Sequence, residues 1–168
     1  KRSNFKEFIK SRLLKLFDSA FVGGSNQQKY LIKLGFDSKK IFKGCDMVDN
    51  NYFTKNANAI RDESKYYYNS LNLPKKYFFV SCRFIEKKNL DFLIKTFKDF
   101  SKKFNDWYLV LAGDGPQKNI LIELVNVLEL KHRVIFLGYI AYDHLPKYYA
   151  LSRCFILPSI TEQWGLVV

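Results

Sequence analysis

Long apolar runs are missing from this 168-residue sequence. None approaches the roughly 20 consecutive apolar residues that a membrane-spanning helix needs. The first ten residues, Lys1 to Lys10, hold no apolar signal-peptide core. The expectation is therefore a chain without spanning helices. Cysteine is scarce and scattered. Cys45, Cys82 and Cys154 form no C-x-x-C pair, which leaves a zinc site unsupported. An odd cysteine count without a leader fits a reducing cytoplasm. Cys82 and Cys154 sit in apolar runs and are expected in the core. Of the two histidines, His132 lies between Lys131 and Arg133, and His144 follows Asp143. Both read as surface or turn residues rather than ligands. Acidic residues are in deficit, 16 against 28 Lys and Arg, for a formal charge of +12. That balance favours anionic partners: nucleic acid, anionic lipid or phosphorylated substrates. The lysines are spread along the chain, however, so most of the charge reads as a solvated surface.

A hydrophobic fraction of 48% is enough for a buried core. From Lys75 onward the pattern alternates. Tyr77 to Ser81 is a short apolar run after Pro74, read as a buried strand. Asn89 to Phe104 places Leu90, Leu93, Ile94, Phe97 and Phe100 at helical spacing. Trp107 to Leu111 is a second strand, ending in the Gly113-Asp114-Gly115-Pro116 turn that opens a helix to about Leu130. Val134 to Leu137 is a third strand, stopped by Gly138. A short helix spans Leu145 to Leu151, and Cys154 to Leu157 is a fourth strand closed by Pro158. Strands apolar throughout and separated by helices indicate a parallel sheet covered on both faces. The crossover rule makes a doubly wound, Rossmann-like α/β sheet the leading topology.

The first third reads differently. Ser3 to Phe17 is a basic amphipathic helix with Phe5, Phe8, Ile9, Leu13 and Leu16 on one face. Such a helix packs on its own domain or lies on anionic lipid. Ser19 to Val22 reads as a strand ending at Gly23-Gly24, and Ser25 as the cap of a helix to about Leu34, stopped by Gly35. Ile41-Phe42 begins another strand, and Asp46 to Phe53 reads as an irregular connector. This head has too little chain for a core of its own. It is assigned to residues 1–45 as the tail of a preceding domain. Residues 46–74 are the linker and entry helix, and residues 75–168 the principal domain.

In a doubly wound sheet, ligands bind beyond the carboxyl ends of the strands where strand order reverses. Counting from Tyr77, that point falls between the first and fourth strands. The segments leaving them carry Arg83, Lys88 and Glu162, which should converge on one crevice. Arg83 offers a planar fork for phosphate oxygens, and Lys88 adds a point charge near a helix start. Glu162 suits sugar hydroxyls. The competing reading is a plain Arg83–Glu162 salt bridge with solvated lysines, and spacing alone does not decide between them. Gly113-x-Gly115 lacks the third glycine of a dinucleotide fingerprint and follows the wrong strand.

The segment Arg83 to Leu90 resembles the R-x-x-x-x-K-[GN] stretch of the group 1 (family 4) retaining glycosyltransferases, which have the two-domain GT-B architecture. The likeness continues through Leu111 to Pro116, Val134 to Tyr139, Leu145 to Ala150, Leu157-Pro158-Ser159 and Glu162 to Val168. The head resembles the end of the family's N-terminal domain, and Asp46 to Phe53 its interdomain linker. The resemblance implies roles. Arg83 and Lys88 match the donor-diphosphate residues, with the backbone around Trp164, Gly165 and Leu166 beside them. Glu162 matches the first acid of an E-x7-E motif that contacts the transferred sugar, with Gln163 next to it. Gly138 and Tyr139 match the loop against the nucleobase. The second acid would fall eight positions after Glu162, past Val168.

The implied activity is transfer of a sugar from a UDP- or GDP-sugar to a hydroxyl acceptor, saccharide or lipid-linked, with retention. Arg83, Lys88 and Glu162 would carry the chemistry. No metal and no cofactor are expected, since the donor is a substrate and no D-x-D motif occurs. The setting implied is bacterial surface polysaccharide or glycolipid synthesis, in the cytoplasm at the inner membrane face. The alternative is a fragment that binds nucleotide sugar without turning it over. A third reading, a basic nucleic-acid-binding domain, lacks any basic–aromatic stacking motif.

Overall fold

A computed structural model describes residues 4–44, 47–162 and 165 of the chain. It divides into two compact units, Lys1–Val48 and Asp49–Val168.

The smaller unit holds α1 (Asn4–Leu14), β1 (Ala20–Val22), α2 (Ser25–Lys33) and β2 (Ile41–Lys43), with a 3-10 turn at Ser38–Lys40. β1 and β2 pair in parallel with α2 between them, one βαβ unit. Its buried core is Val22, Phe36 and Ile41, with Leu14, Ala20 and Leu31 against them. Ser25 is not the cap of α2. It is the first helical residue, and extended Gly24 precedes it without a side-chain cap. The apolar face expected on α1 is largely uncovered. Phe5, Phe8, Ile9 and Leu13 are exposed, and Leu14 alone reaches the core. Polar bonds hold this helix instead: the Tyr30 hydroxyl donates to Glu7 at 2.9 Å, and Ser11 Oγ to the Leu34 carbonyl at 2.7 Å.

The larger unit runs α3 (Asn50–Asp62), α4 (Ser64–Ser70), β3 (Tyr77–Ser81), α5 (Leu90–Lys103), β4 (Tyr108–Ala112), α6 (Lys118–Val127), β5 (Val134–Gly138), α7 (Leu145–Leu151) and β6 (Cys154–Phe155). The expected connector is already helix from Asn50. Asp49 caps α3 by accepting the Tyr52 amide at 2.9 Å, a local signal. The four strands form one parallel sheet in the order β5-β4-β3-β6. The order reverses between β3 and β6, where the sequence put it.

The apolar strands supply two cores because successive side chains point to opposite faces. Val80, Leu109, Leu111 and Val134 face α5 and α6. Tyr77, Phe79, Val110 and Ala112 face α3 and α7. On α5 the i, i+3, i+4, i+7 set is Leu90, Leu93, Ile94 and Phe97, all buried. Fully burying each such side chain contributes roughly 1.5–3 kcal/mol. Inside the α3/α7 core the buried Tyr77 hydroxyl donates to the Tyr148 carbonyl at 2.8 Å. Cys154 departs from expectation. It is exposed on β6, which among the described residues pairs on one side, with β3, whereas Cys82 is half-buried. Cys45 lies outside the described residues.

Candidate functional site

The carboxyl ends of β3 and β6 are neighbours, so the segments leaving them meet. Beyond Ser81 the chain passes Cys82 and Arg83 and makes a 3-10 turn at Glu86–Lys88. It enters α5 through Asn89, which is left-handed at φ +55. Asparagine and glycine tolerate that conformation best, which gives a physical reason for the [GN] position after the lysine. Several bonds stitch this loop to the one after β6. The Ile160 amide donates to the Lys87 carbonyl at 2.9 Å, and Asn89 Nδ2 to the Pro158 carbonyl at 3.3 Å. Lys88 Nζ forms an ion pair with Glu162 Oε1, the same oxygen that accepts Ser159 Oγ at 2.5 Å.

Lys88 and Glu162 are thus brought together, as the topology requires. The simple salt-bridge alternative had the wrong cation: Glu162 pairs with Lys88, not Arg83. Arg83 is exposed and has no side-chain partner among the described residues. Lys88 is mostly shielded, its side chain 13% exposed against 27% for Glu162. Hydrogen bonds from Lys88 first and Ser159 second hold the Glu162 carboxyl below the usual glutamate range. Under this pair lies Cys82, whose thiol burial pushes up to about 11, with Glu162 adding and Lys88 opposing. It is a protonated thiol at neutral pH.

Sequence reasoning missed Ser159 and Asn89 as partners of the site. Both lay inside quoted motifs, but nothing in their spacing said that the two loops would bond to each other. Gly138 ends β5 at φ +72, also at the carboxyl edge of the sheet, and Tyr139 beyond it is 80% exposed. Gly165 is left-handed at φ +58. Gln163, Trp164 and Leu166 lie outside the described residues.

The Gly113-Asp114-Gly115 turn after β4 touches both neighbouring loops. The Phe84 amide donates to the Asp114 carbonyl at 2.9 Å, and the Gln117 amide to the Phe84 carbonyl at 3.1 Å. On the other side the Gly113 amide donates to the Gly138 carbonyl at 2.7 Å. The Asp114 carboxylate closes the turn by accepting Lys118 Nζ at 2.6 Å and the Gly115 amide at 2.8 Å.

An exposed arginine, a shielded lysine and a sugar-suited acid thus sit at the switch point of a parallel sheet. That arrangement is suited to a diphosphate carrying a polar group. Comparison with known proteins identifies the family. Residues 68–168 match the family described as Glycosyl transferases group 1. The chain is 39% identical over 80 residues to an alpha-monoglucosyldiacylglycerol synthase of Streptococcus pneumoniae, covering 48% of this chain and 18% of that protein. It is 28% identical over 86 residues to the alpha-D-kanosaminyltransferase of Streptomyces kanamyceticus, covering 51% and 22%. The matched stretch therefore spans about a fifth of the length of these two relatives. Among solved structures, Anabaena HepE with UDP and glucose superposes at a TM-score of 0.61 and 18% identity, over 99% of this chain and 45% of that one. The C-terminal domain of a group 1 glycosyl transferase from Francisella tularensis superposes at 0.53 and 26% identity, over 60% and 55%. The family match spans the whole four-stranded parallel sheet: this chain belongs to the group 1 glycosyl transferases and has the fold of GT-B glycosyltransferases.

Proposed function

We propose that the full protein is a retaining glycosyltransferase that moves a sugar from a nucleotide diphosphate sugar to a hydroxyl acceptor. The Lys88–Glu162 pair across the switch point, with an exposed Arg83 on the same loop that has no side-chain partner among the described residues, carries this reading. Arg83 and Lys88 would hold the donor diphosphate. As the sugar–phosphate bond breaks, charge grows on the leaving diphosphate, and these two cations stabilise it in place. Once a phosphate oxygen takes Lys88, Glu162 is released to accept hydroxyl groups of the sugar. Gly138 and Tyr139 would border the nucleobase, and Gln163, Trp164, Gly165 and Leu166 would line the sugar and phosphates. UDP or GDP is the nucleotide class; Anabaena HepE was solved with UDP, UDP-glucose and glucose, which supports the former.

The acceptor class proposed is a saccharide or lipid-linked hydroxyl, in surface polysaccharide or glycolipid synthesis at the inner face of the cytoplasmic membrane. Support comes from the glycolipid synthase among the relatives, and from α1, which carries exposed Phe5 and Phe8 alongside Lys6 and Arg12. The 168-residue chain alone, matching 45% of the HepE chain, is proposed to hold donor without transferring sugar. The test is turnover of Arg83→Ala in the full-length protein. Loss of a charge-assisted phosphate contact of about 1.5–3 kcal/mol lowers kcat/KM roughly ten- to a hundredfold. Wild-type-like turnover would sink the assignment.

A further inference from the structure

The Gly113-Asp114-Gly115 turn would pass for a helix start. Its geometry says otherwise. A Cβ on Gly113 would lie 1.9 Å from the Cys82 carbonyl oxygen, and one on Gly115 2.5 Å from the Phe84 carbonyl oxygen and 2.9 Å from its amide. Both clashes are with backbone, on the two residues that flank Arg83. The flanking bonds match them. The Cys82 amide donates to the Ala112 carbonyl at 3.1 Å, and the Phe84 amide to the Asp114 carbonyl at 2.9 Å. Phe84 itself is fully buried, its ring set edge-on to Phe136 of β5. Arg83 is therefore an exposed side chain on a backbone pinned at both neighbours. Its own carbonyl accepts the Ile85 amide at 2.9 Å. From the same turn the Gly113 amide reaches the Gly138 carbonyl.

We infer that this turn is the positioning element of the donor site: Gly115, through Phe84, fixes where Arg83 meets the diphosphate, and Gly113 fixes the Gly138 loop relative to it. The inference rests on the donor reading above. Gly115 and Phe84 touch no ligand and act through Arg83. An arginine on a free loop would spend binding free energy on ordering itself; here the fold has fixed the backbone in advance.

The experiment is a double-mutant cycle on the full-length protein, with UDP and GDP as calorimetric probes. Gly115→Ala is the direct variant. Phe84→Leu is the milder one, loosening the anchor without placing an atom in the turn; thermal unfolding establishes that each variant is folded. Each is expected to weaken nucleoside diphosphate binding about tenfold, within the cost of an ångström-scale misplacement. In an Arg83→Ala background the same changes are expected to cost almost nothing, because the group they position is gone. A merely structural role would give the same loss in both backgrounds. Full additivity, or unchanged binding by folded Phe84→Leu, overturns the inference while leaving the donor reading in place. Failure of the wild type to bind either probe overturns both.

Discussion

The two units are built from the same motif and differ in what it is packed against. In Lys1–Val48 one βαβ unit encloses a small core around Val22, Phe36 and Ile41, and Phe21 and Phe42 on its paired strands stand 64% and 58% exposed. In Asp49–Val168 the same strand–helix alternation is repeated, and each face of the sheet has its own core. Parallel strands are apolar on both faces and need cover on both. A strand pattern alone therefore says which residues would be buried, and the number of neighbouring elements decides whether they are. Among the described residues the strand-order reversal that brings two loops side by side lies in the second unit, and the organised site with it.

The largest effect that would break this contrast is a matched truncation. Phe97 on α5 is 3% exposed in the α5/α6 core. Phe97→Ala should cost roughly 3–5 kcal/mol, the transfer term plus the cavity. In the same 168-residue chain Phe21→Ala, on β1 and 64% exposed there, should stay within about 0.5 kcal/mol. Denaturant unfolding of the two variants measures both. Equal costs would mean that Phe21 is covered in solution, and the difference between the units would disappear.

Smaller is the effect at a pair of left-handed residues, one in each unit. Gly35 follows α2 at φ +90, and the nearest atom to a Cβ there is 3.9 Å away. Asn89 holds φ +55 between Lys88 and α5 and bonds to the Pro158 carbonyl. Gly35→Ala and Asn89→Val should each cost about 1–2 kcal/mol for the left-handed backbone. Asn89→Gly should cost less than either in stability. Only the Asn89 variants should also weaken nucleoside diphosphate binding, since only they loosen the loop that carries Lys88. Calorimetry beside thermal unfolding separates the two effects; a loss of binding in Gly35→Ala would show that the site depends on the smaller unit as well.

Much of this was legible in advance, for reasons that differ by residue. The strands around Tyr77, Leu109 and Val134 were plain because full burial leaves an uninterrupted apolar run, and their order followed from crossover handedness. Lys88 and Glu162 could be assigned to one crevice from that order alone. Their mutual pairing could not, because it depends on the Ile160–Lys87 and Asn89–Pro158 bonds between loops of irregular backbone. Cys154 was misread because an apolar run does not say whether its strand is paired on one side or on both. The start of α3 was missed because its cap, Asp49, sits among asparagines that read equally well as a turn.

The smallest effect is one of protonation, and it bears on the same contrast. The Lys88 and Ser159 hydrogen bonds lower the Glu162 carboxyl, so its charged form is favoured by folding. The sign follows from linkage. The pair's contribution is fully present above the ordinary glutamate pKa and is lost as pH falls through the lowered one. Its size is that of a partly exposed ion pair, about 0–1 kcal/mol. Near neutrality, then, the Glu162 carboxyl stays charged, and a pH dependence of nucleoside diphosphate binding between about 6 and 8 is expected from the terminal phosphate of the probe, whose second ionisation lies near 6, and is not expected with a nucleotide sugar, whose phosphates are both esterified. A carboxyl-carbon NMR titration should give Glu162 a midpoint below that of an unpaired glutamate, and Lys88→Met should move it upward. An unchanged midpoint in that variant would mean that the Lys88–Glu162 pair does not form in solution, leaving the two loops held by the Ile160–Lys87 and Asn89–Pro158 bonds.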